Sequence, residues 1–197
     1  MTVALRLHGV PISTWARTAR MACIEKGIEF EFVPVNRASD AYGELHPFRR
    51  IPVLEHGDLV VFEGLAVISY IDEAFAGPEL QPTDLRARTS MRQWMSLCAD
   101  YVFRDVVLAI PRDREPSPDE LATAAGILQI VDRLIGASPF LVGAQLTLAD
   151  LYLAPQISNC LEKVPQLCSG LEATNAWFAI VRERESFRAT AYDPAVL

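Results

Sequence analysis

The sequence predicts two domains of different class, a small α/β domain followed by an all-helical one. Three observations carry that prediction. Strand and helix signals alternate over residues 1–76, and strand signals vanish beyond residue 85. Between them "GPELQPTDL", residues 77–85, holds two prolines and a glycine, the composition of a linker. The expected division is therefore 1–76, a linker at 77–85, and a helical domain at 86–197.

Within the first part, "VALRLHG" alternates apolar and polar residues and reads as a strand. Residues 14–26 follow as a helix with Ala16, Ala19, Ala22 and Cys23 on one face, and Gly27 stands where a helix should stop. "IEFEFVPV" is a second alternating strand, and a short polar stretch, 36–46, leads away from it. In "IPVLEHGDLVVFEG" two short strands flank "HGD", the signal of a β-hairpin. A helix over 64–76 closes this part, with Leu65, Ile68, Ile71 and Phe75 at helical spacing. In the second part, Met91, Trp94, Met95, Cys98, Val102 and Val106 recur at steps of three and four. "PRDREPSPDE" interrupts the pattern, and Leu121, Ala125, Leu128, Val131 and Leu134 resume it. A helix from about 148 and another containing Trp177, Ile180 and Val181 complete the chain.

Size and composition narrow the function. The 197 residues can bury one sizeable core or two smaller ones, and 51% of them are hydrophobic. A net charge of −7 leaves no electrostatic footprint for nucleic acid or an anionic membrane surface. The start, "MTVALRLHGV", lacks the layout of a signal peptide, and no apolar run approaches a membrane span. The expectation is a cytoplasmic protein with neither nucleic-acid nor membrane partners. Cys23, Cys98, Cys160 and Cys168 form no CxxC pair, and His8, His46 and His56 are scattered, so no metal site is expected. Each cysteine lies in or beside an apolar helical pattern, as small buried hydrophobes do; Cys23 is the one to test for reactivity.

Four places could carry chemistry or fix the fold. In "HGVPISTWARTAR" the hydroxyls of Ser13 and Thr14 stand at a helix start, where they can cap it or act on a ligand. Ile51-Pro52 opens a strand; a cis bond there would turn backbone groups outward to pair with an extended peptide, and an ordinary edge proline is the plainer reading. Glu63 and Gly64 lie between a strand and a helix, so N–H groups near Gly64 open that helix toward an anion or are simply capped. Thr147 and Asp150 resemble a capping box, with Leu146 and Leu151 as its hydrophobic staple, and are assigned to structure.

"PISTWARTARMACIEKGIEFEFVPV", "HPFRRIPVLEHGDLVVFEGLAVISYIDE" and "SPFLVGAQLTLADLYLAP", in that order and spacing, resemble the cytosolic glutathione transferase family over almost the whole chain. The resemblance is to serine-type members of the bacterial or phi-like kind. It implies a thioredoxin-like first domain, an all-α second domain and a homodimer, with glutathione as co-substrate and a role in detoxification. Ser13 falls where serine-type members place the hydroxyl that hydrogen-bonds the glutathione sulfur. Arg50 and Ile51 fall before the cis-proline position, Pro52, where the Ile51 backbone holds the cysteinyl part. Glu63 and Gly64 fall at the γ-glutamyl contact, where the family usually shows a serine in place of Gly64. Loss of that hydroxyl donor to a carboxylate corresponds to about 1.5–3 kcal/mol, or about ten- to a hundredfold in affinity. Trp15, Tyr101, Phe103 and Arg104 are the implied lining of the pocket for a small electrophile. The expected activity is transfer of the glutathione thiolate to that electrophile. A non-enzymatic binding or assembly role, a glutathione-dependent peroxidase or isomerase, and a serine hydrolase using Ser13 are the alternatives. The last lacks a G-x-S-x-G context.

Overall fold

A computed structural model of the chain describes residues 4–111 and 113–191. They form two compact units, one from the chain up to Glu79 together with the stretch from Glu185, the other from Leu80–Arg184.

The first unit is built on a four-stranded mixed sheet, the thioredoxin-like arrangement expected. Its strands are β1 (Leu5–Gly9), β2 (Phe30–Pro34), β3 (Val53–His56) and β4 (Leu59–Phe62), in the order β2-β1-β3-β4. β1 runs parallel to β2 and antiparallel to β3, and β3 pairs antiparallel with β4. Parallel pairing of β1 and β2 requires a crossover, which is supplied by helix α1 (Thr14–Glu25). Ala16, Ala19, Ala22 and Cys23 are all fully buried, and their small size brings α1 close to the sheet. The helix ends in a Schellman motif. Gly27, at φ 68°, donates to the Ile24 carbonyl, and Ile28 donates to that of Cys23.

Two further helices lie within the first part of the chain. Helix α2 (Asp40–Leu45), capped by Ser39, occupies the short polar stretch 36–46, where no helix is expected from the sequence; six residues are too few for periodicity to register. Helix α3 (Gly64–Ala74) packs on α1 and buries Val67, Ile68, Ile71 and Asp72. Leu65, expected on the buried face, is 53% exposed instead, because it lies to one side of the arc of α3 taken by the buried Val67, Ile68, Ile71 and Asp72. A buried ion pair, Lys26 Nζ to Asp72 Oδ1 at 3.1 Å, ties the end of α1 to α3. His8 bonds to Glu55, which also takes the Arg6 guanidinium at 3.1 Å.

The second unit contains helices α4 (Leu85–Leu97), α5 (Pro118–Leu134), α6 (Leu148–Lys163) and α7 (Glu172–Arg182), with a 3-10 turn at Pro165–Cys168. α4 does not run on as an α-helix to residue 110. It passes into a π-helix, Cys98–Val107, whose wider turn aligns the buried Cys98, Val102 and Val106. α5 opens with a capping box in which Ser117 and Glu120 satisfy each other's backbone N–H groups, a Ser-x-x-Glu signal hidden inside the "breaker" stretch. Among the described residues, no helix is long and apolar enough to cross a membrane.

The stretch from Glu185, grouped by sequence with the helical domain, is placed with the first unit. Helix α8 (Glu185–Ala189) packs on α1, where the buried Arg17 donates to the Phe187 carbonyl at 3.0 Å and to Thr190 Oγ1 at 3.3 Å. The Arg17 guanidinium also lies 4.0 Å over the Phe187 ring. A buried guanidinium needs acceptors, and this terminal turn supplies them.

In the second unit, Asp150 is fully buried and accepts four bonds. The donors are the N–H of Leu141 (2.9 Å), the N–H and hydroxyl of Thr147 (2.8 and 3.1 Å), and Trp177 Nε1 (2.9 Å). Burial pushes its carboxyl above the ordinary carboxylate range, and these donors act in the opposite sense. Leu146 and Leu151 are buried on either side of the cap, as a staple requires. Asp150→Ala strands these buried donors and is expected to lower stability by about 3 kcal/mol or more, read from the urea midpoint followed by tryptophan fluorescence.

Candidate active site

The register of the sheet brings three separate segments to one end of it. His8, near the end of β1, pairs with Val53, the first residue of β3, and Val53 pairs in turn with Phe62, the last of β4. The chain therefore leaves β1 toward Ser13, enters β3 from Arg50–Ile51–Pro52, and leaves β4 into Glu63–Gly64 at the same edge. Ser13, Arg50, Ile51, Pro52, Glu63 and Gly64 all fall within these segments, although they are far apart in sequence.

Ser13 is the N-cap of α1. Its Oγ accepts the Ala16 N–H at 3.3 Å, and its own N–H donates to the Val10 carbonyl at 3.0 Å. Because the cap uses the oxygen as an acceptor, the hydroxyl proton remains available for donation. The first turn of α1 contains no acidic residue, so nothing there offsets the positive end of the helix dipole. Thr14, the neighbouring hydroxyl, is buried.

The Ile51–Pro52 bond is cis, and Pro52 is buried while Arg50 is exposed. The Arg50 carbonyl is held by the Tyr42 hydroxyl, which donates at 2.6 Å from α2. Burial pushes the Tyr42 phenol up to about 12, so it stays protonated as a donor. Glu63 sits at φ 71°, outside the conformation that side chains favour, and does not cap α3. The first backbone bond of α3 runs from Val67 to the Glu63 carbonyl. The N–H groups of Gly64, Leu65 and Ala66 come before it and have no acceptor inside the helix.

His46 is a member of this region that sequence reading passed over as one of three scattered histidines. It is 1% exposed, stacks on Phe62 with centroids 4.7 Å apart, and places Nε2 4.0 Å from Glu63 Oε1. Its Nδ1 accepts the Phe48 N–H at 3.2 Å, so the neutral ring carries its proton on Nε2, toward Glu63. Burial lowers its pKa; Glu63 opposes that and Arg50 adds to it. A lone histidine in a polar stretch shows none of this in sequence.

The residues expected to line an electrophile pocket belong to different units. Trp15 stands in the first turn of α1, while Tyr101, Phe103 and Arg104 lie on the π-helix of the second unit. Arg104 is engaged there by Asp105 through two bonds of 2.7 Å, which hold its pKa above the ordinary value, and lies 5.9 Å over the Tyr101 ring.

Comparison with known proteins converges on one family. Residues 7–79 match "Glutathione S-transferase, N-terminal domain" and residues 94–185 match "Glutathione S-transferase, C-terminal domain". Glutathione S-transferase F14 of Arabidopsis thaliana is 31% identical, the match covering 89% of this chain and 79% of that protein. The chain belongs to the glutathione S-transferase family. Another relative, glutathione S-transferase PARB of Nicotiana tabacum, is 28% identical with 94% and 96% of the two chains covered. Two solved structures share the fold. A glutathione S-transferase from Methylobacillus flagellatus, with gsh bound, has a TM-score of 0.83 at 24% identity, covering 96% of this chain and all (100%) of that one. Poplar glutathione transferase F1 likewise has a TM-score of 0.83, at 20% identity, covering 95% and 96% of the two chains.

This family member's own thiols are poor nucleophiles. Cys23, Cys98, Cys160 and Cys168 are all free and buried. Burial pushes the Cys23 and Cys160 thiols up to about 12 and also raises Cys98 and Cys168. At neutral pH the reactive thiolate is then almost absent. Ellman's reagent is expected to find no fast-reacting thiol in the native protein and all 4 cysteines after denaturation.

Proposed function

We propose that this family member conjugates the glutathione thiolate to a small, hydrophobic electrophile, with Ser13 as the hydroxyl that stabilises the thiolate. The observation carrying this reading is that Ser13 Oγ accepts the Ala16 N–H, which leaves its proton to donate. The residues fit a bound glutathione. The unbonded N–H groups at the start of α3 suit the γ-glutamyl carboxylate, Glu63 suits its amino group, and the backbone of Ile51 suits the cysteinyl part.

Bound glutathione supplies the nucleophile; the chain supplies the environment that makes it one. A free thiol has a pKa of about 8.5, so only a few per cent is thiolate at neutral pH. Lowering that pKa by about two units requires about 2.7 kcal/mol of preference for the anion. A hydroxyl donor and the unopposed N-terminus of α1 act in that direction. Ser13 itself needs no base, because it donates without losing its proton. Trp15, Tyr101, Phe103 and Arg104 are the residues we assign to the electrophile.

The reading extends to a serine-type, phi-like enzyme working as a cytoplasmic homodimer. Phe48, 73% exposed, lies beside the His46 ring that also stacks on the exposed Phe62, and Leu65 is exposed at the start of α3. β4, which bears Phe62, is an edge strand. Such an apolar patch on one unit favours a second copy as its cover.

Calorimetry with glutathione and turnover of a chlorodinitrobenzene test the function, with Ser13→Ala as the decisive variant. Turnover is expected to fall by about a hundredfold or more while glutathione still binds, since the donor acts on the sulfur and not on the rest of the tripeptide. Equal activity returns Ser13 to a capping role, and a wild-type chain that neither binds glutathione nor turns over substrate favours the non-enzymatic reading that Gly64 suggests. Separately, Gly64→Ser is expected to tighten glutathione binding by about tenfold, by restoring a hydroxyl donor to the carboxylate. Unchanged or weaker binding means the site is organised around glycine.

A further inference from the structure

The loop that leads into β3 is clasped by α2 from both directions. Arg49 is one of two non-glycine residues among those described with positive φ, at 52°. A side chain in that conformation persists where its surroundings over-determine it. The surroundings are explicit. Arg49 Nη1 donates to the Ser39 carbonyl at 2.6 Å and the Arg37 carbonyl at 3.2 Å, and Nη2 donates to Asp40 Oδ1 at 3.3 Å. Its backbone N–H is bonded to the His46 carbonyl at 2.9 Å. The guanidinium lies against Gly43 in the middle of α2. A Cβ at that glycine would stand 2.8 Å from Nη2 and 3.0 Å from Cζ. In the opposite direction, Tyr42 reaches out of α2 and donates to the Arg50 carbonyl at 2.6 Å. The loop thus holds the helix through Arg49, and the helix holds the loop through Tyr42.

We infer that Arg49, Gly43 and Tyr42 form a positioning clasp that sets the Arg50–Ile51 backbone for glutathione binding. None of the three is assigned a contact with the ligand. They act through the peptide between Arg50 and Ile51, whose carbonyl oxygen is the one Tyr42 holds. The inference rests on the glutathione reading above and adds to it the residues that determine affinity. A clasp built in advance means that loop and helix do not have to be ordered by the ligand, so its loss falls on binding and not on the chemical step.

Gly43 gives the discriminating test. Alanine is a better helix residue than glycine, and its only conflict is with the far end of a flexible side chain, so Gly43→Ala leaves the fold intact while displacing the guanidinium. In the full-length protein, Gly43→Ala, Tyr42→Phe and Arg49→Ala are each expected to raise the glutathione KM and Kd by about tenfold. The kcat at saturating glutathione and its pH profile are expected to stay within about twofold, and Gly43→Ala is expected to keep or raise Tm. In the Arg49→Ala background, Gly43→Ala has no further effect, because the group it displaces is gone. Arg49→Lys, which keeps the charge but not the fork, falls between wild type and alanine. A wild-type KM in Gly43→Ala, additive effects in the double variant, or kcat and Tm falling together overturn the clasp.

Amide hydrogen exchange separates this inference from the functional reading. Without any ligand, Gly43→Ala is expected to speed exchange over residues 46–51 and leave α3 unchanged. If wild type binds no glutathione but this acceleration is seen, the functional reading fails and the clasp stands. If exchange over 46–51 is the same in both proteins, the clasp is overturned whatever glutathione does.

Discussion

Every candidate site residue in the first unit is placed by one register, the pairing of Val53 with His8 on one side and Phe62 on the other. β3 runs antiparallel to both neighbours, so its start lies beside their ends. Three chain segments, separated by tens of residues, are therefore released at one edge of the sheet. A slip of one residue in β3 would take Leu54 off the face it shares with Leu7 and carry Glu55 away from His8 and Arg6, so the pairing that builds the core also aligns the site.

At that edge, the chemistry follows from what each group has left to give. Ser13 uses its oxygen to cap α1 and keeps its proton. The first N–H groups of α3 are unused by the helix, and neither Glu63 nor Gly64 caps them with a side chain. The cysteines are the opposite case. Burial raises their thiol pKa values, so none of them offers a ready thiolate at neutral pH. The same segment also invests in order. Arg49 in a left-handed conformation, Tyr42 on the Arg50 carbonyl and His46 beneath Glu63 hold the site's backbone without being part of its donor set.

Much of this was legible before the structure, for identifiable reasons. Gly27, the "HGD" turn and the Thr147–Asp150 cap are local signals whose physics is complete within a few residues, and each appears where it was read. Other features were written in the sequence but obscured. "SPDE" holds a capping box inside a stretch that looks like a break, whereas the fours from Cys98 to Val102 to Val106 fit an α-helix as well as the π-helix that forms. α2 was too short to show a period. The engagement of Asp150 by Leu141 and Trp177, as well as Thr147, needed contacts that no local pattern encodes.

The amino-acid order alone was enough to settle the class of each half, the helix that Ser13 opens and the kind of residues at Ile51-Pro52 and Glu63-Gly64, because periodicity, caps and turns are short-range effects. The meeting of those residues was a different matter. It required strand register, which depends on which apolar faces can be buried together. The destination of α8 was likewise set by a buried guanidinium, Arg17, in need of acceptors some 170 residues away. Long-range pairing of this kind is decided by the free energy of burying groups together, and no single segment carries that information.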